Sequence, residues 1–274
     1  MSFVLTKIGL NEVTPIYLAS LRFSIATIMF VGYTLIKFEM KQIKEFTKDN
    51  FITLFVLGIV GVTIPNILQN IGMIHLTVSM ASILQNSSPA FTLILATIFL
   101  RESLGLRKIS GLVLSLTGVI IISTNGNIST FSSSMAFYGN LMLVSTAICY
   151  SIYTVIGKKI VGKNSPLLIL AFSTLIGTIM LDIISVLAEP VRFTYPTNIW
   201  IILFVLAILC TVIGTILYFD VLRELEASKT NVFTFLIPVF AVIQASIFLD
   251  ESIHLYQILC GALIIFGIWL AQTE

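Results

Sequence analysis

The sequence predicts an all-α membrane protein of about ten transmembrane helices, the first truncated, arranged as two inverted five-helix repeats. Three observations predict it. First, the 274 residues are 57% hydrophobic and only 10% charged, whereas soluble domains carry roughly 25% charged residues. Mean hydropathy is +1.06, so too few polar groups exist to coat a soluble particle. Second, the apolar residues fall into runs of about 20, the length that crosses a bilayer as a helix. Third, the chain repeats its own landmarks at a fixed offset, the signature of a duplicated unit.

The runs come in order. A fragment spans roughly 1–10. Full spans follow at roughly 14–36, 51–74, 78–100, 106–124, 137–157, 166–188, 198–221, 230–249 and 254–272. They are apolar on all sides, as helices in lipid are. Barrel strands would alternate over about 10 residues, and nothing here alternates. The longest polar connections are Lys37–Asn50 and Asn125–Ala136. Neither can form a soluble domain, which excludes nucleic-acid binding and a soluble catalytic domain. The natural division is 1–124 and 137–274.

Loop charge orients the chain, because lysine and arginine concentrate on the cytoplasmic side. Lys37, Lys41, Lys44, Lys48, Arg101, Arg107, Lys108, Lys158, Lys159, Lys163, Arg223 and Lys229 fall on one side, against Lys7 and Arg192 on the other. The twelve mark the cytoplasmic face, and the C-terminus falls there too. The expected location is the cell membrane. The glycosylation-type triplet Asn127-Ile128-Ser129 lies on the predicted outer side.

The repeat is explicit. Pro89 to Arg101-Glu102 has the same spacing as Pro238 to Asp250-Glu251, and a glycine, Gly118 or Gly267, follows each glutamate by the same interval. Lys7 and Pro15 match Lys158 and Pro166. Five spans per half is an odd number, so the second copy inserts upside down. Oppositely inserted halves can exchange conformations and open a central site to alternate sides. The second half's first span begins near Phe137, well before the residue that pairs with Met1. The first helix therefore lacks its opening half, and the expected true start lies upstream.

Duplicated Pro-to-Glu helices, each followed by a Gly-punctuated helix, resemble the EamA-type drug/metabolite transporters. Ala19-Ser20-Leu21-Arg22-Phe23 after Thr14-Pro15 resembles the opening of that family's second helix, and Ser2 to Lys7 the tail of its first. The resemblance implies ten helices with both termini cytoplasmic. It also implies export or exchange of amino acids or other small metabolites through a central cavity. The second half departs from it in having Ser173 where Arg22 stands in the first.

Polar side chains in hydrocarbon face a bundle interior or a cavity. Asn66, Gln69 and Asn70 share one helical face by their spacing. Pro65 precedes them and loosens the helix. Lining a cavity and hydrogen-bonding to another helix are both open to them. Gln85, Asn86, Ser87 and Ser88 precede Pro89, and Gln85 and Ser88 share a face with Ser82. Pro89 and Pro238 read either as a paired break near the midplane or as tolerated prolines. Tyr150 and Tyr153 share a face and can stack on a substrate ring or cation, or simply pack. Tyr218 also lies within a span. Arg22 is the one basic residue well inside a span; it binds an anionic substrate group or snorkels outward. The candidate substrate-binding set is Arg22, Asn66, Gln69, Asn70, Gln85, Ser88, Tyr150 and Tyr153. Asp182 and Asp220 are candidate proton relays. Glu102 and Glu251 sit at helix ends and read as interfacial, with local capping or pairing open to them.

Gly111, Ser115, Gly118, Gly261 and Gly267 favour close helix packing, as scaffold or as the seam of a homodimer. Cys149, Cys210 and Cys260 are isolated in apolar runs, which supports neither a disulfide nor a zinc site. His75 and His254 sit at span ends. Gly157 to Lys163 nearly spells a phosphate loop but ends in Asn164, where Ser or Thr would hold magnesium. No cofactor or metal is expected, and ATP drive has no motif. The partners implied are a small-molecule substrate and the lipid bilayer. The reading is a secondary transporter and not an enzyme. The alternatives are a non-transporting receptor or assembly factor, an intramembrane lipid-modifying enzyme, or a channel.

Overall fold

A computed structural model describes residues 1–103, 105–123, 134–190, 192, 194–249 and 255–272. Every regular element among them is helical. The helices are α1 (Ser2–Gly9), α2 (Pro15–Lys37), α3 (Met40–Gly58), α4 (Ile64–Ile74), α5 (Val78–Gln85), α6 (Ser88–Leu100) and α7 (Leu106–Ser123). Then follow α8 (Ser134–Val161), α9 (Pro166–Ala188), α10 (Thr197–Val205), α11 (Gly214–Glu224), α12 (Ala227–Val232), α13 (Leu236–Leu249) and α14 (Leu255–Gln272). Five helical stretches are long and apolar enough to cross a membrane: Pro15–Lys37, Met40–Ile74, Phe137–Val161, Pro166–Ala188 and Thr197–Glu224. Shorter apolar helices accompany them.

Two stretches bend by the same device. A π-helical turn, Ile59–Thr63, joins α3 to α4, and a longer one, Leu206–Ile213, joins α10 to α11. Pro65 follows the first turn. Its ring cannot donate to the carbonyl four residues back, and the wider turn absorbs the defect. A threonine holds each turn: the Thr63 hydroxyl donates to the Gly58 carbonyl and the Thr211 hydroxyl to the Leu206 carbonyl, each five residues back. The expected span 78–100 is broken at Asn86-Ser87, between α5 and α6. The span 230–249 is broken by a 3₁₀ turn, Phe233–Phe235. Both breaks lie just before the prolines that mark the repeat, although the Pro238 side chain lies outside the described residues.

One sequence expectation is corrected. Lys37–Asn50 is not a connection: α3 begins at Met40, so Lys41, Lys44 and Lys48 ride its first turns. The cause is local. The Glu39 side chain accepts from the backbone at Gln42, and the Glu39 N–H donates to Gln42 Oε1 at 3.3 Å. That capping box starts the helix before its apolar face does. The Asn127 triplet, Asp250-Glu251 and His254 lie outside the described residues.

The lysine pair found in the sequence makes matching bonds. Lys7 Nζ donates to the carbonyls of Met73 and Leu76 (2.6 and 2.9 Å), closing the C-terminus of α4. Lys158 Nζ donates to those of Leu222 and Leu225 (2.8 and 2.7 Å), closing α11. A cation suits these ends, where unsatisfied carbonyls and the helix dipole are negative. Thr27 and Thr178, which are equivalent under the same offset as Lys7 and Lys158, touch each other at 2.8 Å.

Further contacts stitch the two parts of the chain together. Glu189, just past α9, accepts from the Ile16 and Tyr17 N–H groups (3.1 and 2.8 Å) and caps α2. Glu102 accepts from the Ala227 and Ser228 N–H groups and from the Ser228 hydroxyl, capping α12. Its side chain is 8% exposed and lies 3.9 Å from Lys108, so Glu102 caps and pairs locally. The reason is that α12 offers unpaired N–H groups and no side-chain cap of its own. Small residues let backbones meet. A Cβ on Gly111 would lie 2.4 Å from the Gly267 carbonyl, and one on Gly267 would lie 2.6 Å from the Gly111 carbonyl. The Ser115 hydroxyl donates to the Ile264 carbonyl at 3.3 Å. Helices α7 and α14 are thus bound to each other at backbone contact.

Candidate functional site

The interior encloses two adjoining cavity compartments of about 350 and 340 Å³. They share Gln85, Tyr150, Tyr153, Cys210, Thr215 and Ile237 as a common wall. The first compartment adds Arg22, Gly61, Gln69, Thr174 and Thr211, among apolar residues. The second adds Asn86, Ser88, Thr154, Gly214, Tyr218, Asn231 and Thr234. Both interrupted stretches reach these walls. Gly61 comes from the first π turn, Cys210 and Thr211 from the second, and Gln85, Asn86 and Ser88 from the α5–α6 break. Irregular backbone inside a membrane protein belongs where it lines a cavity.

The sequence-predicted residues divide as follows. Arg22, Gln69, Gln85, Ser88, Tyr150 and Tyr153 line the cavity. Arg22 does not snorkel. Its Nε donates to Thr211 Oγ1 at 2.8 Å, and its guanidinium lies 5.3 Å from the Phe23 ring centroid. Tyr153 meets the Phe219 ring edge-on at 5.4 Å between centroids, and Tyr218 shares a hydrogen bond with Thr154 at 2.7 Å. Gln69 is buried, with Met73 Sδ 3.9 Å from its Nε2. Gln85 Oε1 is buried without a hydrogen-bond partner among the described residues.

Asn66 and Asn70 are buried too, but line neither compartment. Asn66 Nδ2 donates to the Val62 carbonyl at 2.7 Å, on its own helix. Asn70 Nδ2 donates to the Pro15 carbonyl at 2.9 Å and ties α4 to α2. Of the three residues on that helical face, only Gln69 lines a compartment, while Asn66 reaches the wall indirectly through a hydrogen bond with Tyr150.

The intraspan carboxylates lie apart from the cavity. Asp182 accepts from the Ser20 hydroxyl at 2.6 Å and the Ser24 hydroxyl at 3.2 Å, joining α9 to α2. Asp220 is exposed, as is His75. Cys149, Cys210 and Cys260 are free thiols. Among the described residues, no three acidic, histidine or cysteine side chains gather as a metal site.

Sequence reasoning missed Thr211, Thr215, Thr234 and Asn231. Asn231 is buried and donates to Thr92 Oγ1 and, at 3.4 Å, to Ser88 Oγ. Its bonds join the two broken stretches, α5–α6 and α12–α13. A signal for Thr215 and Thr234 was present, though not for Thr211, which corresponds to Val62. At the repeat offset Asn66 corresponds to Thr215, Gln69 to Tyr218 and Gln85 to Thr234. Projecting one half's polar positions onto the other finds three wall residues.

Comparison with known proteins agrees with this architecture. The sequence pattern of the EamA-like transporter family matches residues 1–124 and 137–273. Two proteins of Archaeoglobus fulgidus, each described as an uncharacterized transporter, are 29% and 28% identical. The matches cover all of this chain and 93% and 94% of those proteins. The uncharacterized transporter YyaM of Bacillus subtilis is 26% identical over 99% of this chain and 88% of its own. A crystal structure sharing 15% identity superposes with a TM-score of 0.76, over 99% of this chain and 93% of the other. The chain belongs to the EamA-like transporter family.

Proposed function

We propose that this protein is a secondary active transporter that exports or exchanges a small metabolite by alternating access through the central cavity. The observation that carries the reading is the cavity itself. Its walls come in like measure from both parts of the chain: Arg22, Gln69 and Gln85 from the first, Tyr150, Thr211 and Thr215 from the second. In this reading ten membrane passes form two oppositely inserted halves, in a cell membrane, with the C-terminus in the cytoplasm. The matching lysine caps, the Thr27–Thr178 contact, the paired π turns and the paired helix breaks support a duplicated unit. Inverted duplication supplies two near-equivalent arrangements that open to opposite sides. The protein's own contribution is binding and gating, with no chemical step on the solute.

Uptake of radiolabelled metabolites into proteoliposomes, with and without a pH gradient, tests this. The expected result is saturable accumulation of at least one small solute. Gln69→Ala is expected to weaken that transport about tenfold, as loss of one buried hydrogen bond does, with unchanged expression. Absence of protein-dependent flux across a broad panel in both gradient conditions would contradict the reading.

A further inference from the structure

Arg22 places a guanidinium inside the protein without a counter-ion among the described residues. Among the described residues the ion pairs are those of Lys108 with Glu226 and Glu102, so no carboxylate serves Arg22. Its Nε is fixed by Thr211, and its two terminal nitrogens have no hydrogen-bond partner among the described residues. Arginine holds its proton throughout the accessible pH range. A cation left unpaired away from bulk water is costly, so an anionic partner at this position would be stabilising. The side chain lines the first compartment, so the partner can come from the cavity.

The rest of the wall limits that partner. Arg22 is the one charged side chain among the described lining residues, and no acidic side chain lines either compartment. An organic cation would meet repulsion and no compensation. A dianion, such as a phosphate monoester or dicarboxylate, would bring a second charge that no other described lining side chain balances. Among the described residues the second compartment presents neutral groups, including Tyr218, Asn231 and Thr234. At the shared wall Gln85 Oε1 has no donor among the described residues.

We infer that the cavity selects organic monocarboxylates, with the carboxylate on the free edge of Arg22 and an uncharged, hydrogen-bond-donating body toward Gln85 and the second compartment. A planar guanidinium matches a carboxylate with two parallel hydrogen bonds. Thr211 fixes Nε and so aims the terminal nitrogens. Because Arg22 and Thr211 belong to different halves, the bound anion sits on their junction. The inference rests on the transport reading for its purpose, but the two fail separately.

The test uses purified full-length protein and a panel of aliphatic, 2-hydroxy and aromatic monocarboxylates, each paired with its primary amide and its amine. Thermal stabilisation reads binding, and flux into proteoliposomes reads transport. The expected result is stabilisation by acids and not by their amides or amines. It should be weakened roughly 30-fold or more by Arg22→Gln, and less by Arg22→Lys, which keeps the charge without the planar fork. Thr211→Val, which keeps the arginine and frees its aim, should weaken binding and preserve the preference for acids. Equal binding of amides or amines, no binding by any acid, or acid binding undiminished in a folded Arg22→Gln protein would overturn the inference. Acids that bind but do not cross would uphold it and remove the transport reading. Flux confined to amines would do the reverse.

Discussion

Gly177→Leu is expected to destabilise the folded protein by about 3 kcal/mol, the upper range for overpacking a tight core. Gly177 lies on α9, against α3 and the first π turn. A Cβ there would stand 2.5 Å from Val62 Cβ and 2.6 Å from the Gly58 carbonyl. On the facing side, a Cβ on Gly58 would meet the Ser173 carbonyl at 2.7 Å and the Gly177 nitrogen at 2.9 Å. Backbone blocks both positions, so no rotamer relieves the clash and the helices must part. Parting them also costs the Thr63 hydroxyl its bond to the Gly177 carbonyl, 3.0 Å long. In a bilayer, close approach through small residues is a main source of helix association. The measurement is the melting temperature of detergent-purified protein. Gly32→Leu is the control, since nothing lies within 4 Å of a Cβ there. A Gly177→Leu protein as stable as that control would refute the packing.

Gly61→Ala is expected to lower transport at least tenfold while leaving a folded protein. The glycine sits in the first π turn, on the cavity wall. An added methyl would fall 2.1 Å from Tyr153 Cδ2 and 2.3 Å from its Cε2. Unlike the backbone at Gly177, a ring can leave. It would give up its edge contact with Phe219 and enter one of the compartments whose shared wall it forms. The fold pays about 1–3 kcal/mol for the misfit, and the cavity loses its shape. Gly61→Ala combined with Tyr153→Leu removes the clash. Stability should then exceed the sum of the single effects, as for any pair of touching residues. Additive losses would show that the ring and the turn are not in contact.

Much of the fold was legible because lipid imposes a simple code. Apolar runs of spanning length marked the helices, and proline marked the interruptions near 65, 89 and 238 but not the π turn Leu206–Ile213. The start of α3 escaped because its first turns are polar, and apolar length was the criterion. The Glu39/Gln42 capping box was the sign to follow. The wall was legible only in part. Arg22, Gln69, Gln85 and the tyrosines stood out as polar groups in apolar sequence. Thr211 and Thr215 did not, since threonine is common within membrane spans. Nothing local distinguishes Gln69 from Asn70. The latter is drawn to the Pro15 carbonyl on α2, a partner 55 positions away. The fate of Arg22 likewise depends on Thr211, 189 positions away.

Cys210 offers the most direct measurement of the central claim. It is a half-buried free thiol on the wall common to both compartments. With Cys149 and Cys260 changed to alanine, a membrane-impermeant maleimide can be applied to one face of oriented vesicles and then to the other. The account predicts that Cys210 is modified from each face, and that a transported solute slows both reactions. Modification from one face only, or from neither, would contradict it.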